Sequence, residues 1–206
     1  MIEAFKNDED IHVQAASKVF NVPLAEVSEE ERSKAKAVNF GIVYGISDFG
    51  LAEQIKVPKK QAAQYIEEYL NKYTGIKKFM EDTPEQAKES GYVQTMFGRK
   101  RYVPELNSSN YMVRQFGARA AMNTPIQGTA ADIIKIAMIN VYRKLKEQNL
   151  KSKLILQVHD ELLIEAEESE KEEVKEILKS EMENVIELKA PLKVDLHEAA
   201  NWYGAK

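Results

Sequence analysis

Cysteine is absent from the 206 residues, which excludes disulfide bonds and thiolate metal sites and fits a reducing compartment. No apolar run reaches the roughly 20 residues that a membrane-spanning helix needs, so we expect no membrane partner. The opening segment, MIEAFKNDED, has none of the features of a signal peptide. Internal repeats and low-complexity linkers are missing too. A hydrophobic fraction of 44% nevertheless provides a core for one large domain or two small ones.

Positive charge is in deficit overall, because the net charge is -4, and such a balance normally argues against a nucleic-acid partner. The charges are unevenly distributed, however. Residues 165–187 contain ten acids and three bases, a local charge of -7, whereas residues 98–120 contain five bases and one acid, a local charge of +4. The acidity is therefore concentrated late in the chain, and the net charge is a poor guide to the binding face.

Residues 154–166, LILQVHDELLIEA, have the pattern of a β-hairpin. Two aliphatic runs of strand length flank a polar tip, which predicts a turn at or beside His159-Asp160. A tight turn would hold the carboxylates of Asp160 and Glu161 rigidly, and hard cations such as Mg²⁺ take oxygen ligands of this kind. Taken alone, however, these residues are better explained as a solvated acidic hairpin tip.

Residues 28–46, SEEERSKAKAVNFGIVYGI, predict a helix with two distinct faces. Ser28 and Glu31 form a capping box that starts it. At about 100° per residue, a core face and an outer stripe fall on opposite sides. The core face is Ala35, Val38 and Ile42, and the outer stripe is Arg32, Lys36, Phe40 and Tyr44. Two cations one turn apart near a helix N-terminus can bind a polyphosphate, and an aromatic ring further along can stack on a base. A solvated basic face is the alternative.

Residues 110–127, NYMVRQFGARAAMNTPIQ, predict a mostly apolar helix with one polar stripe. The stripe recurs every fourth residue: Gln115, Arg119, Asn123 and Gln127. Donors in such a row suit the minor groove of DNA, where every base pair presents acceptors in nearly the same place. We expect Pro125 to bend this helix and a separate core helix to run from Gly128 to about Lys146.

Other segments complete the expected elements. Residues 91–104 predict two short strands around Gly98-Arg99, where Arg99 is a candidate contact for the phosphate backbone. A solvated basic turn explains these residues equally well. Residues 169–186 predict an acidic helix with a buried stripe, and residues 191–197, PLKVDLH, alternate like a strand.

Three of these segments, residues 28–46, 110–127 and 154–166, together and in this order resemble the polymerase domain of the family A DNA polymerases, the family of bacterial DNA polymerase I. The R-x3-K-x7-YG pattern of that family's fingers helix stands here at residues 32–45. Its R-x3-N-x-P-x-QGTAAD stretch stands at residues 119–132, and its QVHDE palm motif stands at residues 157–161. Three motifs in the correct order at sensible separations are highly specific, and the resemblance covers nearly the whole chain.

The resemblance implies a role for each matched position. Arg32 and Lys36 would bind the triphosphate of the incoming dNTP, and Lys36 would also serve as a general acid toward the leaving pyrophosphate. Phe40 would stack near the base and sugar, and Tyr44 would guard the templating site. Asp160 would be one of two aspartates that hold two Mg²⁺ ions, supported by Glu161. The remaining matched residues would contact primer-template DNA: Arg119, Asn123, Gln127, Gln157 and His159.

The resemblance also implies an α+β fold, in which a mainly helical fingers subdomain packs on a partial antiparallel palm sheet containing the 154–166 hairpin. We assign residues 1–27 to partial palm and fingers entry helices. Residues 28–110 are assigned to the fingers, including a hairpin at 91–104, and residues 111–206 to the C-terminal palm portion. The expected location is cytoplasmic and nucleoid-associated.

The sequence departs from the family pattern in one respect. The family's other catalytic aspartate lies in a D-Y-S-Q-I-E-L-R motif upstream of the fingers, and no such motif occurs here. We therefore expect a C-terminal fragment without the thumb, inactive alone, whose partner is the N-terminal part of the polymerase domain.

Three alternatives remain at this point. The chain could be a DNA- or nucleotide-binding fragment that needs a complementing chain. It could also belong to a single-subunit phage-type RNA polymerase, although Phe40 and the QGTAAD run favour the DNA enzyme. A purely structural helical protein is the third.

Overall fold

The computed structural model describes residues 1–205. The chain divides between Gly128 and Thr129 into two compact units. It has the predicted α+β composition, with eight α-helices and two separate two-stranded antiparallel sheets in the described residues. None of the helices in that part of the chain is long and apolar enough to cross a membrane.

The first unit begins with six helices. They are α1 (Ile2–Lys6), α2 (Ile11–Phe20), α3 (Glu29–Val43), α4 (Asp48–Ile55), α5 (Lys59–Lys72) and α6 (Thr74–Ser90). Their core contains Ala16 of α2 and Ala35 of α3, both fully buried, and small side chains at these positions let the two helices approach closely. Tyr69 of α5 is only 1% exposed and is the largest fully buried side chain of this core.

A short hairpin follows these helices. Strands β1 (Tyr92–Gln94) and β2 (Lys100–Tyr102) pair antiparallel, as predicted. Gly98 in the connecting turn has a φ of +79°, a backbone conformation that residues other than glycine rarely adopt.

Helix α7 (Tyr111–Glu147) is continuous, so the prediction of two helices divided near Gly128 was wrong. Pro125 removes one backbone N–H donor, but its fixed φ is compatible with helix. The hydroxyl of Thr124 donates to the carbonyl of Ala120 at 2.6 Å, an additional bond one residue before the proline. Apolar positions on both sides of Pro125 have helical spacing, and their packing maintains the helix through it.

The second unit, from Thr129 onward, contains the C-terminal part of α7, strands β3 (Lys153–Val158) and β4 (Glu161–Glu165), and helix α8 (Lys171–Glu183). Its core joins Ala137 and Val141 of α7, Leu162 of β4, and Val174 and Ile177 of α8. The hairpin and the buried stripe of α8 were both predicted.

Residues 191–197 do not form the predicted strand. Alternating side chains favour extended backbone, but a strand also needs a neighbour to complete its ladder of hydrogen bonds. Among the described residues, both sheets contain only two strands, and neither pairs with this segment. The backbone N–H of Val194 instead donates to a carboxylate oxygen of Glu183 at 3.0 Å.

Candidate functional site

The start of α3 is fixed by the predicted capping box. The hydroxyl of Ser28 accepts from the backbone N–H of Glu31 at 3.2 Å, and the Glu31 carboxylate accepts from the backbone N–H of Ser28 at 2.9 Å. These reciprocal bonds satisfy two donors that would otherwise lack partners. Arg32 consequently lies in the first turn of α3.

Arg32 makes a contact that its sequence pattern does not predict. Its Nε donates to a carboxylate oxygen of Asp10 at 2.8 Å. The other oxygen of Asp10 accepts from the backbone N–H groups of His12 and Val13, at 2.8 and 3.1 Å, and so caps α2. One carboxylate therefore joins the N-terminal turns of α2 and α3. An acidic residue before an apolar helix is a recognisable cap signal, but its pairing with Arg32 depends on how the helices cross.

The ionisation of Asp10 reflects these contacts. Burial acts to raise the pKa of Asp10, but hydrogen bonds from Arg32, Val13 and His12, together with the Arg32 charge, outweigh it and hold the pKa below its ordinary value. The same pair raises the pKa of Arg32, chiefly through the hydrogen bond to Asp10.

The predicted outer stripe of α3 is accessible, and its predicted inner face is buried. Lys36 is exposed, and the rings of Phe40 and Tyr44 are 49% and 47% exposed. The inner face, by contrast, includes Val38 and Ile42, which are almost fully buried. Two cations followed by two aromatic rings therefore remain available to a ligand along one face of α3.

His12 packs against this stripe. Its ring centroid is 5.7 Å from that of Phe40, and its Nδ1 is 2.9 Å from the amide nitrogen of the buried Asn39. Burial lowers the pKa of His12, the Asp10 charge opposes this, and the charges of Lys36 and Arg32 lower it further. The charges of both predicted phosphate-binding cations are thus close enough to His12 to lower its pKa.

The polar stripe of α7 is largely accessible. Gln115, Arg119 and Gln127 are exposed, whereas Asn123 is partly buried. The Oδ1 of Asn123 is fully buried and has no hydrogen-bond partner in the described part of the chain. The stripe therefore offers a row of donors, but Asn123 presents less of its amide than the periodicity predicted.

The C-terminal end of α3 lies against this stripe. Gly45 follows Tyr44 with a φ of +72°, and a Cβ placed on it would be 3.0 Å from the Cγ of Arg119 and 3.0 Å from the methyl of Met122. Only glycine combines that backbone conformation with such a close approach. The first unit thus brings the aromatic end of the outer stripe of α3 beside the polar stripe of α7.

The β1–β2 hairpin also contacts α7. A guanidinium nitrogen of Arg101 donates to the hydroxyl of Thr124 at 3.1 Å, and a Cβ on Gly128 would meet the methyl of Thr95 at 2.7 Å. Arg99 lies in the turn of this hairpin, where its backbone N–H donates to the Thr95 hydroxyl at 3.2 Å. The basic turn and the polar stripe therefore belong to one packed assembly.

In the second unit, His159 and Asp160 form the turn between β3 and β4, as predicted. His159 has a φ of +52°, and the Gln157 amide donates to the His159 carbonyl at 2.7 Å, which braces the turn. Asp160 and Glu161 are exposed at its end. A solvated turn that binds no ligand would expose both carboxylates in the same way.

The carboxylates of Asp160 and Glu161 suit a hard divalent cation in donor type and exposure. Their oxygens make no hydrogen bond or ion pair with other described residues. Across residues 1–205, no group of three or more His, Asp or Glu side chains is arranged to hold a metal ion. Asp160 and Glu161 therefore fit as a partial set of ligands.

The chain is similar in sequence to proteins whose family is established. Residues 1–204 match the sequence profile described as DNA polymerase family A. The chain is 57% identical over its full length to DNA polymerase I of Caldicellulosiruptor bescii and 52% identical to DNA polymerase I of Bacillus subtilis. These alignments cover all of the chain but only 24% and 23% of the two relatives, so the chain spans about a quarter of their length.

A solved structure gives the same result. The POL domain of Pol1 from M. smegmatis, in complex with DNA primer-template and dNTP, superposes with a TM-score of 0.94 at 44% identity. The match covers 100% of this chain and 36% of that one. These similarities favour the DNA polymerase interpretation over a phage-type RNA polymerase and over a purely structural helical protein. The chain belongs to DNA polymerase family A.

Proposed function

We propose that this chain contributes to template-directed DNA synthesis, the transfer of a nucleotidyl group from a dNTP to a primer 3′-OH. The observation that carries the proposal is the approach of Gly45 to Arg119. It sets a helix suited to nucleotide binding directly beside a row of donors suited to DNA. Family membership and the similarity to a polymerase solved with primer-template and dNTP support the same assignment.

Arg32 and Lys36 are proposed to bind the triphosphate. Arg32 lies in the first turn of α3, where the helix dipole favours anions, and Lys36 lies about one turn further along. The guanidinium of Arg32 can bind two phosphate oxygens at once, while the Lys36 ammonium acts as a compact charge with a transferable proton. Lys36 would donate that proton to the leaving pyrophosphate.

Phe40 and Tyr44 are proposed to contact the base end of the nucleotide. Each is about half exposed on the same stripe, one and two turns beyond Lys36. Exposed aromatic rings can stack on any base, so Phe40 would stack near the incoming base and sugar. Tyr44, next to the polar stripe of α7, would occupy or guard the templating position.

Primer-template DNA is the proposed macromolecular partner. The α7 stripe would supply minor-groove donors, and Arg99 would contact the phosphate backbone from the hairpin turn. The stripe comprises Gln115, Arg119, Asn123 and Gln127. Gln157 and His159, at the β3–β4 turn, would contact the primer-template as well. A DNA partner would place the protein in the cytoplasm, associated with the nucleoid.

Divalent cations, proposed to be two Mg²⁺ ions, would be held in part by Asp160, with Glu161 in support. Bound there, the cations would stabilise the negative charge that develops during phosphoryl transfer. Two ions about 3.5–4 Å apart need more carboxylates than this pair provides. Because the sequence has no D-Y-S-Q-I-E-L-R motif, we propose that an upstream polymerase segment supplies them.

The proposal is tested by mixing the purified chain with the upstream polymerase segment of Bacillus subtilis DNA polymerase I and assaying primer extension. We expect the mixture to extend a primer and either component alone to be inactive or nearly so. Asp160→Asn should reduce extension by the mixture about 10²- to 10³-fold, the scale of losing one electrostatic contact to the transition state. Extension by this chain alone, lost on Asp160→Asn, would overturn the need for a complementing segment.

A further inference from the structure

Arg32 is anchored to a fixed carboxylate rather than to a flexible one. One oxygen of Asp10 is fixed by two backbone N–H groups of α2, and the other accepts from the Nε of Arg32 at 2.8 Å. The carboxylate cannot turn toward solvent without losing the α2 cap. The orientation of the Arg32 guanidinium is therefore tied to the backbone of a second helix.

The anchoring contact leaves most of the guanidinium available. Arginine has five N–H donors, and the bond to Asp10 uses only the one on Nε. The contact of Nη1 with Glu29 is 3.9 Å long, which exceeds hydrogen-bond distance. The side chains of Arg32 and Asp10 are 35% and 37% exposed, so an anion from solvent can reach the Arg32 guanidinium.

We propose that Asp10 is a positioning residue for the triphosphate, acting through Arg32. By holding Nε, it aims the remaining four N–H groups outward beside Lys36 and removes side-chain freedom that phosphate binding would otherwise have to restrict. This inference rests on the proposed nucleotide-binding role of α3. It assigns to an acidic residue a favourable effect on the binding of an anion.

A favourable effect of Asp10 on triphosphate binding is the opposite of what charge repulsion alone predicts. A carboxylate close to a triphosphate repels it, so removal of the Asp10 charge should tighten binding if charge alone matters. Loss of positioning should weaken binding instead, because ordering a long side chain costs roughly a factor of three to ten in affinity. The sign of the change therefore separates the two accounts.

Two substitutions remove the bond to Arg32 and keep the α2 cap. Asn has a single acceptor oxygen and is a good cap, so in Asp10→Asn that oxygen stays on the backbone N–H groups of α2 and a donor NH₂ group faces Arg32. Asp10→Ser retains a capping hydroxyl on a side chain too short to reach Arg32. Glu29→Gln is the matched control, because it removes a negative charge near Arg32 that makes no hydrogen bond to it.

The experiment is calorimetric titration of the 206-residue chain with inorganic triphosphate at low ionic strength. We expect Arg32→Ala to weaken binding at least about tenfold, the scale of losing hydrogen bonds to a charged group. Asp10→Asn and Asp10→Ser should weaken it about three- to tenfold. Glu29→Gln should not weaken it.

A double variant tests whether Asp10 acts through Arg32. Once Arg32 is Ala, adding Asp10→Asn should cause no further loss, because two residues that act through one contact are not additive. If Arg32→Ala weakens binding but Asp10→Asn and Asp10→Ser leave it unchanged or tighten it, positioning is overturned and the proposed function stands. If the wild-type chain does not bind triphosphate, or Arg32→Ala has no effect, both are overturned.

Discussion

Single residues with two tasks determine how the candidate site is held. Asp10 caps one helix and binds the arginine of another, and its negative charge strengthens both contacts. Gly45 is similarly constrained, by its backbone conformation and by its contact with Arg119. Periodicity was sufficient to predict the outer stripe of α3, because that depends on one helix only. It could not predict Asp10 as the partner of Arg32, since the two residues meet only after α2 and α3 pack.

The lowered pKa of Asp10 predicts a pH dependence of stability. A carboxyl group whose folded-state pKa lies below its unfolded value stabilises the fold above its ordinary pKa of 3.8, and that contribution is lost as the pH falls through the lower folded-state value. Wild type should therefore exceed Asp10→Asn in melting temperature at neutral pH, with the difference shrinking below pH 3.8. Thermal unfolding of both proteins from pH 2 to pH 7, under matched conditions, measures this. A difference that stayed constant across the range would contradict it.

At the scale of elements, local signals predicted the starts and turns of the chain better than its long-range pairing. The capping box of α3 and the β3–β4 turn depend on neighbouring residues, and both formed where expected. The division of α7 and the strand at residues 191–197 were wrong for non-local reasons. Packing maintained α7 through Pro125, and residues 191–197 have no partner strand among the described residues.

Two helical glycines should respond in opposite ways to the same change. Gly117 of α7 is buried, and a Cβ on it would lie 2.9 Å from the backbone nitrogen of Leu106, which cannot move aside cheaply. Gly117→Ala should destabilise the fold by about 1–3 kcal/mol, the usual cost of overpacking. Gly75 of α6 has nothing within 4 Å of a Cβ, so Gly75→Ala should be neutral or stabilise by up to about 1 kcal/mol. Urea denaturation of wild type and both variants measures these changes in the free energy of unfolding. Equal changes for the two variants would contradict the close packing of α7 on residues 104–107.

At the scale of the whole molecule, the chain carries three sets of groups for which we propose roles in DNA synthesis. These are the cation and aromatic stripe of α3, the polar stripe of α7, and the carboxylates at the β3–β4 turn. The motifs that carry these groups were sufficient to predict the family, because their order and spacing are specific, and the profile match confirms it. The assignment of residues 28–110 to the fingers and 111–206 to the palm remains a prediction, as do the roles of the individual site residues.

A chimera tests most directly whether this chain contributes to template-directed DNA synthesis. Residues 1–206 replace the matching region of Bacillus subtilis DNA polymerase I, to which they are 52% identical, and primer extension is measured at saturating dNTP and over a dNTP titration. We expect the chimera to extend a primer. Arg32→Ala should raise the dNTP concentration needed for half-maximal extension, and Asp160→Asn should lower the maximal rate about 10²- to 10³-fold. A folded chimera that extended equally well with both substitutions would contradict this role in DNA synthesis.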